Sequence, residues 1–384
     1  MANEPEIIFQ YLQSEIESST FPGAQYVIGE AGQVAAQGAL GHAVVEPELI
    51  PATLDTIYDM ASLTKPLVTT LLLAKLAERG QIDFNAPVAN YLSEFEGEAG
   101  MNEGRPISLL RLMTHTSGLP NWRPLYLEAE TAKDVPAALA RIATRSREEK
   151  TPTQLVYSDL SYIALGLALE RVTGERLDLL AKREIFDPLG LRDTMFNPPS
   201  ELKRRIAATE RGQEHERANT IADTGTRGRG DAAKVGHYRW REDLIWGEVH
   251  DGNAHFLGGV SGHAGLFSTA REVFRIANQF LQGSQLLSSE SLKLFTVNIT
   301  PGFDTARSIG WILASTRDCS AGPTLPPTII GHNGFTGTSL WMDPDRRRVF
   351  ILLTNRVHPK VTPVDMKCVR QRFNTLAFQW LDER

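Results

Sequence analysis

Residues 60–66 read Met60-Ala61-Ser62-Leu63-Thr64-Lys65-Pro66, and an apolar run from Leu67 to Leu76 comes directly after. The stretch opens a long, buried helix in which positions i and i+3 share a face. Ser62 and Lys65 are therefore placed to meet. At a helix N-terminus the backbone N–H groups lack intrahelical acceptors, and the dipole favours developing negative charge. A serine beside a lysine over such an end is a candidate activated nucleophile.

The pattern alone is not specific, since about one S-x-x-K is expected by chance in a chain of this length. A second one exists, Ser200-Glu201-Leu202-Lys203, but it lies between Asn197-Pro198-Pro199 and Arg204-Arg205 and reads as an exposed helix cap. Ser62 has different surroundings. No charged residue intervenes between Lys65 and Lys75, so Lys65 heads an apolar helix, where an ammonium is costly without a partner or a task.

The 384 residues correspond to two domains, or to one large domain with an insertion. Net charge is −6, so no basic footprint argues for nucleic acid; the Arg-rich pieces at 203–205 and 346–348 are short. Cys319 and Cys368 read as two reduced thiols. The first residues lack a basic segment followed by an apolar one, and no apolar run reaches the ~18 residues that span a bilayer. The expectation is a cytoplasmic protein with no membrane partner.

Outward from the Ser62 helix, residues 5–18 carry helical spacing, and residues 23–29 and 33–39 read as strands joined by Glu30-Ala31-Gly32. The Ser62 helix runs to Gly80, a C-cap. Helices are expected over 107–113, 135–144, 160–172 and 178–185, and a long surface loop over 210–247. Strands return at 308–313, 337–342 and 348–355, with the turn Asp343-Pro344-Asp345-Arg346 between the last two, and residues 364–381 close the chain as a helix. The order predicts an α+β fold in which the first and last thirds share one antiparallel sheet. The middle is inserted as a helical domain, dividing the chain into 1–95, 96–264 and 265–384.

Two further stretches carry chemistry. Tyr157-Ser158-Asp159 lies at a loop-to-helix junction, where Tyr157 projects freely and a tyrosine beside an ammonium can serve as base and then acid. The same residues also read as a plain tyrosine followed by an N-cap. Gly331-His332-Asn333-Gly334-Phe335-Thr336-Gly337 precedes a strand, and its glycines suit a chain edge lying against a ligand or an ordinary turn.

Together and in this order, the three motifs resemble those of the serine β-lactamases and penicillin-binding proteins: S-x-x-K, then Y-x-N, then K-T-G or H-x-G. The resemblance is closest to the class C-like branch, which holds family VIII carboxylesterases, D-amino-acid amidases and D,D-peptidases. The stretches at 112–120 and 258–269 fit the same branch, and residues 249–254 look like a subgroup associated with muropeptide and amide hydrolysis.

The resemblance implies Ser62 as acylated nucleophile, Lys65 as its activating partner and Tyr157 as general base and acid. It implies an oxyanion hole from the backbone N–H groups of Ser62 and Phe335, and substrate contacts from Asp159, His332, Asn333 and Gly334. It implies the family fold (an antiparallel sheet flanked by helices, with an all-helical domain beside it) and no cofactor. Asp159 replaces the family's asparagine, exchanging an amide donor for an acceptor-only anion. His332 replaces its lysine, exchanging a fixed cation for one mostly neutral near pH 7. Both changes weaken β-lactam recognition.

His250, His255 and His263 lie near Asp251, but their spacing matches no zinc motif and the family needs no metal. His115 and Thr116 are expected to stabilise the loop beside the site. No G-x-S-x-G and no G-x-G-x-x-G after a strand occurs. The expectation is a serine hydrolase forming an acyl-enzyme on a small ester or amide. Carboxylesterase stands ahead of D-amino-acid or muropeptide amidase or D,D-peptidase, then β-lactamase. The alternative of another class is an inactive binding scaffold of the same fold.

Overall fold

In the computed structural model, residues 5–148, 155–225 and 238–384 are described. Seven strands form one antiparallel sheet in the order Ile50–Pro51, Gln33–Val44, Gly23–Glu30, Arg348–Thr354, Ser339–Asp343, Ile330–Asn333, Ile312–Leu313. The first and last parts of the chain thus meet at its centre, where Ala24 pairs with Thr354 and Glu30 with Arg348. The turn at residues 30–33 is tight because Ala31 and Gly32 both take positive φ, 52° and 81°, as a two-residue hairpin requires.

Side chains alternate between the two faces. Ile28, Phe350 and Leu352 pack under the helices Glu6–Glu17 and Met366–Asp382 with Leu12, Phe373 and Ala377. Val27, Ile351 and Leu353 face the other way, into a larger core with Leu67, Leu71 and Val273 that continues through the helices of the middle segment. Among these, Asp159–Thr173 is capped by the Ser158 hydroxyl, which accepts from the Ser161 N–H, and it ends at Gly174 with φ 67°.

Three expectations are corrected. The Ser62 helix is not uniform: a 3₁₀ turn over Ala61–Leu63 leads into a π-helical stretch, Lys65–Thr70, and only Leu71–Glu78 is α-helical. Apolar periodicity does not separate these helix types. The late strand expected over 308–313 is only Ile312–Leu313. The supposed surface loop of 210–247 contains the helix Glu214–Gly225, whose sequence is mostly polar; residues 226–237 of that expected loop lie outside the described residues. Cys319 and Cys368 are free thiols. Among the described residues no helix is long and apolar enough to cross a membrane.

Candidate active site

Ser62 comes after a strained residue. Ala61 has φ 47°, a left-handed conformation that disfavours any residue with a Cβ. The fully buried Asp59 holds it there: Oδ1 accepts the Ala61 N–H and Oδ2 the His250 N–H, both at 2.8 Å. The strand-edge turn is fastened to the same segment by two hydroxyls. Thr336 Oγ1 donates to the Asp59 carbonyl at 2.8 Å, and Thr338 Oγ1 to that of Met60 at 3.1 Å. Gly334 fits against them only because it has no side chain, as an added Cβ would stand 2.7 Å from the Met60 carbonyl oxygen. Ser62 and Phe335 are in this way set on one cleft of about 910 Å³.

Lys65 is fully buried. Its Nζ donates to Ser62 Oγ at 2.9 Å and to the His263 carbonyl at 3.2 Å, and pairs with Asp159 Oδ1 at 2.7 Å. The His263 carbonyl is brought in because Gly262 packs directly against Gly166 of the neighbouring helix, where a Cβ on either would clash with backbone. Burial alone would lower the Lys65 pKa, but the Asp159 carboxylate, and then Tyr157, outweigh it and raise it above the ordinary lysine value. Lys65 is therefore an ammonium that donates to the serine oxygen.

The Tyr157 ring lies among cations and histidines. Lys65 Nζ is 5.1 Å and Arg307 Cζ 5.3 Å from its centroid, and the His115 and His332 rings are 4.5 and 5.8 Å away. His115 holds the junction as expected, its Nδ1 accepting the Ser158 N–H at 2.9 Å. His332 is buried, its Nδ1 3.0 Å from the Asn333 carbonyl oxygen, a contact that places the proton on Nδ1. Burial first, then Lys65 and Arg307, push its pKa well below the usual histidine range, so the ring is neutral with Nε2 as acceptor.

The structure brings Ser62, Lys65, Tyr157, Asp159, His332, Asn333, Gly334 and Phe335 together around the serine. Asp159 has a partner within the protein. Its carboxylate lines the cleft and, through Oδ1, is the counter-ion of Lys65. Asn333 is tied from behind, its Nδ2 donating to Ser320 Oγ. Of the histidines near Asp251, each is held by a carboxylate: His250 by Glu210 at 2.9 Å, His263 by Asp251 at 2.9 Å and His255 by Glu248 at 3.5 Å.

Arg307 carried no sequence signal. It is 3% exposed, makes no ion pair among the described residues, and its Nε and Nη1 are buried without hydrogen-bond partners there.

A family model described as Beta-lactamase matches residues 8–368 of this chain. The chain belongs to the β-lactamase family. Within it, the chain is 30% identical over 376 residues to a protein of Escherichia coli O157:H7 named "Putative D-alanyl-D-alanine carboxypeptidase", covering 92% of this chain and 82% of that one. Two solved structures share the fold. A β-lactamase/D-alanine carboxypeptidase from Yersinia pestis has a TM-score of 0.70 at 21% identity, covering 98% of each chain. EstCE1, a hydrolase with promiscuous acyltransferase activity, has 0.71 at 19% identity, covering 97% and 98%. A family-level serine hydrolase is thereby shown.

Proposed function

We propose that the protein hydrolyses amides of the D,D-peptidase type through an acyl-enzyme on Ser62, releasing an amine that carries a free carboxylate. The observation that carries the reading is Arg307: a buried guanidinium without a protein anion, on the wall of the cleft that holds Ser62. A buried cation left uncompensated favours an anionic ligand, and a carboxylate matches the guanidinium fork. The name of the E. coli relative points the same way. The sequence alone ranked a simple ester first; the charge of the cleft favours the carboxylate-bearing amide.

In this reading Tyr157 takes the Ser62 proton as Oγ attacks the substrate carbonyl. Lys65, whose Nζ lies 5.1 Å from the ring centroid, sets a positive charge beside the tyrosine as it does so. The Ser62 and Phe335 N–H groups receive the oxyanion. Tyr157 then passes the proton to the departing nitrogen as the C–N bond breaks. A water, deprotonated by the same tyrosine, attacks the ester on Ser62 and frees the acid, restoring the hydroxyl. His332 Nε2, Asn333 and Gly334 line the leaving-group side.

The test has two parts. A penicillin-type or fluorophosphonate probe should label Ser62, located by mass spectrometry of the adduct; labelling unchanged in Ser62→Ala ends the mechanism. A peptide ending in D-alanyl-D-alanine should turn over faster than its C-terminal carboxamide and faster than p-nitrophenyl acetate. Preference for the neutral ester would return the carboxylesterase reading to first place.

A further inference from the structure

The peptide unit joining Gly334 to Phe335 has two ends. Its N–H is the oxyanion donor of the acyl-enzyme reading, and its carbonyl oxygen accepts a hydrogen bond from Arg370 Nη2 at 2.8 Å. Arg370 comes from the C-terminal helix, far from every motif, and also donates to the Thr338 carbonyl at 3.2 Å. Among the described residues it makes no ion pair, and its Nε is buried without a partner. The next peptide is held likewise: Arg356 Nε donates to the Phe335 carbonyl at 2.8 Å, with its guanidinium 4.5 Å from the Phe335 ring centroid. Guanidiniums thus grip the carbonyls on both sides of the Phe335 N–H.

We propose that Arg370 is a positioning residue of the oxyanion hole, acting on the Gly334–Phe335 peptide from its carbonyl end. The proposal rests on the acyl-enzyme reading of Ser62 and Phe335. A peptide is planar, so fixing its oxygen fixes the direction of its N–H. Gly334 has no side chain to set that plane, and glycine rotates more freely than any other residue. A charge-assisted bond to the oxygen also polarises the unit, placing more positive charge on the N–H. Donors fixed before the reaction need no reorganisation when the oxyanion forms. The two guanidiniums stand close with no carboxylate on either among the described residues, and burial, and then Arg356, push the Arg370 pKa down to about 9.

The experiment compares wild type, Arg370→Met and Arg370→Lys in the full chain. p-Nitrophenyl acetate is the substrate, because it has no carboxylate for an arginine to bind. The second readout is inhibition by phenylboronic acid, whose adduct with Ser62 is tetrahedral and places an oxygen in the oxyanion position. Arg370→Met should lower kcat about 10–100-fold with KM unchanged, less than the loss of a whole donor, and weaken the boronate by the same factor. Arg370→Lys should recover part of both. If Arg370→Met does not fold by circular dichroism, Arg370→Gln, which keeps a donor without the charge, should show an intermediate loss. Unchanged kcat and boronate affinity in a folded variant, or a loss confined to KM for carboxylate-bearing peptides, overturns the proposal. Wild type that the boronate does not inhibit removes the acyl-enzyme reading, and the proposal with it. Equal inhibition of wild type and Arg370→Met removes Arg370 alone.

Discussion

Asp159 Oδ1 lies 2.7 Å from Lys65 Nζ, and the same ammonium donates to Ser62 Oγ at 2.9 Å. One lysine thus joins the candidate nucleophile to a carboxylate. An amide at that position would leave Lys65 with neutral acceptors and free its own N–H group for substrate. The carboxylate instead favours the charged form of the lysine.

Asp159→Asn should therefore alter the alkaline side of the pH profile. With Asp159 present, the Lys65 pKa is raised above the ordinary lysine value, so the ammonium persists further into alkali. Without it, burial is opposed mainly by Tyr157, and the lysine loses its proton at a lower pH. The alkaline limb of kcat/KM should move toward neutrality in the variant. An unmoved limb would show that the carboxylate does not set the charge of Lys65.

Tyr157→Phe keeps the ring contacts with His115, Lys65 and Arg307 and removes only the hydroxyl. Turnover should fall about 10²–10⁴-fold, the usual worth of a positioned acid–base group. The melting temperature should scarcely change. Full activity would take Tyr157 out of the proton path.

These residues were legible to different degrees, for physical reasons. Ser62 and Lys65 are neighbours through helix spacing, and the 330–337 edge announces itself by glycines, so local sequence sufficed. The order of the three motifs then specified a β-lactamase-like sheet, in which the strands at 23–30 and 348–354 pair at the centre. Spacing does not tell that the Asp159 side chain turns back onto Lys65. Arg307, Arg356 and Arg370 reach the site from a loop, a strand end and the C-terminal helix, contacts made only by tertiary folding. The helix Glu214–Gly225 is mostly polar, so few apolar residues mark its period, and its contact from Thr220 to Tyr126, 3.2 Å apart, is made only by tertiary folding.

Acid should destabilise the protein through its buried histidines. His115 and His332 have pKa values held well below the ordinary one, by burial first and then by cations including Arg307 and Lys65. Below about pH 6.5 the unfolded chain binds protons that the folded one refuses, so stability falls as pH falls, by at most about 1.4 kcal/mol per pH unit for each histidine. Glu216 works the other way, since burial and then Asp251 push its carboxyl up to about 7. The difference between wild type and His332→Asn isolates the histidine. Thermal melts from pH 7.5 to 5 should show a shallower decline in the variant; parallel curves would contradict a neutral, buried His332.

Arg307 separates function from folding most sharply. A cation buried without a protein anion weakens the fold, because its desolvation is not recovered. Arg307→Met should accordingly raise the melting temperature. The same variant loses the fork that receives the substrate carboxylate, a charge-assisted interaction worth about 1.5–3 kcal/mol, or roughly 10–150-fold in affinity. KM for a peptide ending in D-alanyl-D-alanine should rise by that order, while KM for its carboxamide stays near the wild-type value. A residue retained for packing would behave oppositely on the first measure, lowering the melting temperature. One that served only Tyr157 would differ on the second, depressing kcat for both peptides alike. Steady-state kinetics on the two peptides, run beside a thermal melt, distinguish all three roles, and only a stabilised variant with a carboxylate-specific KM defect fits an arginine kept for its substrate.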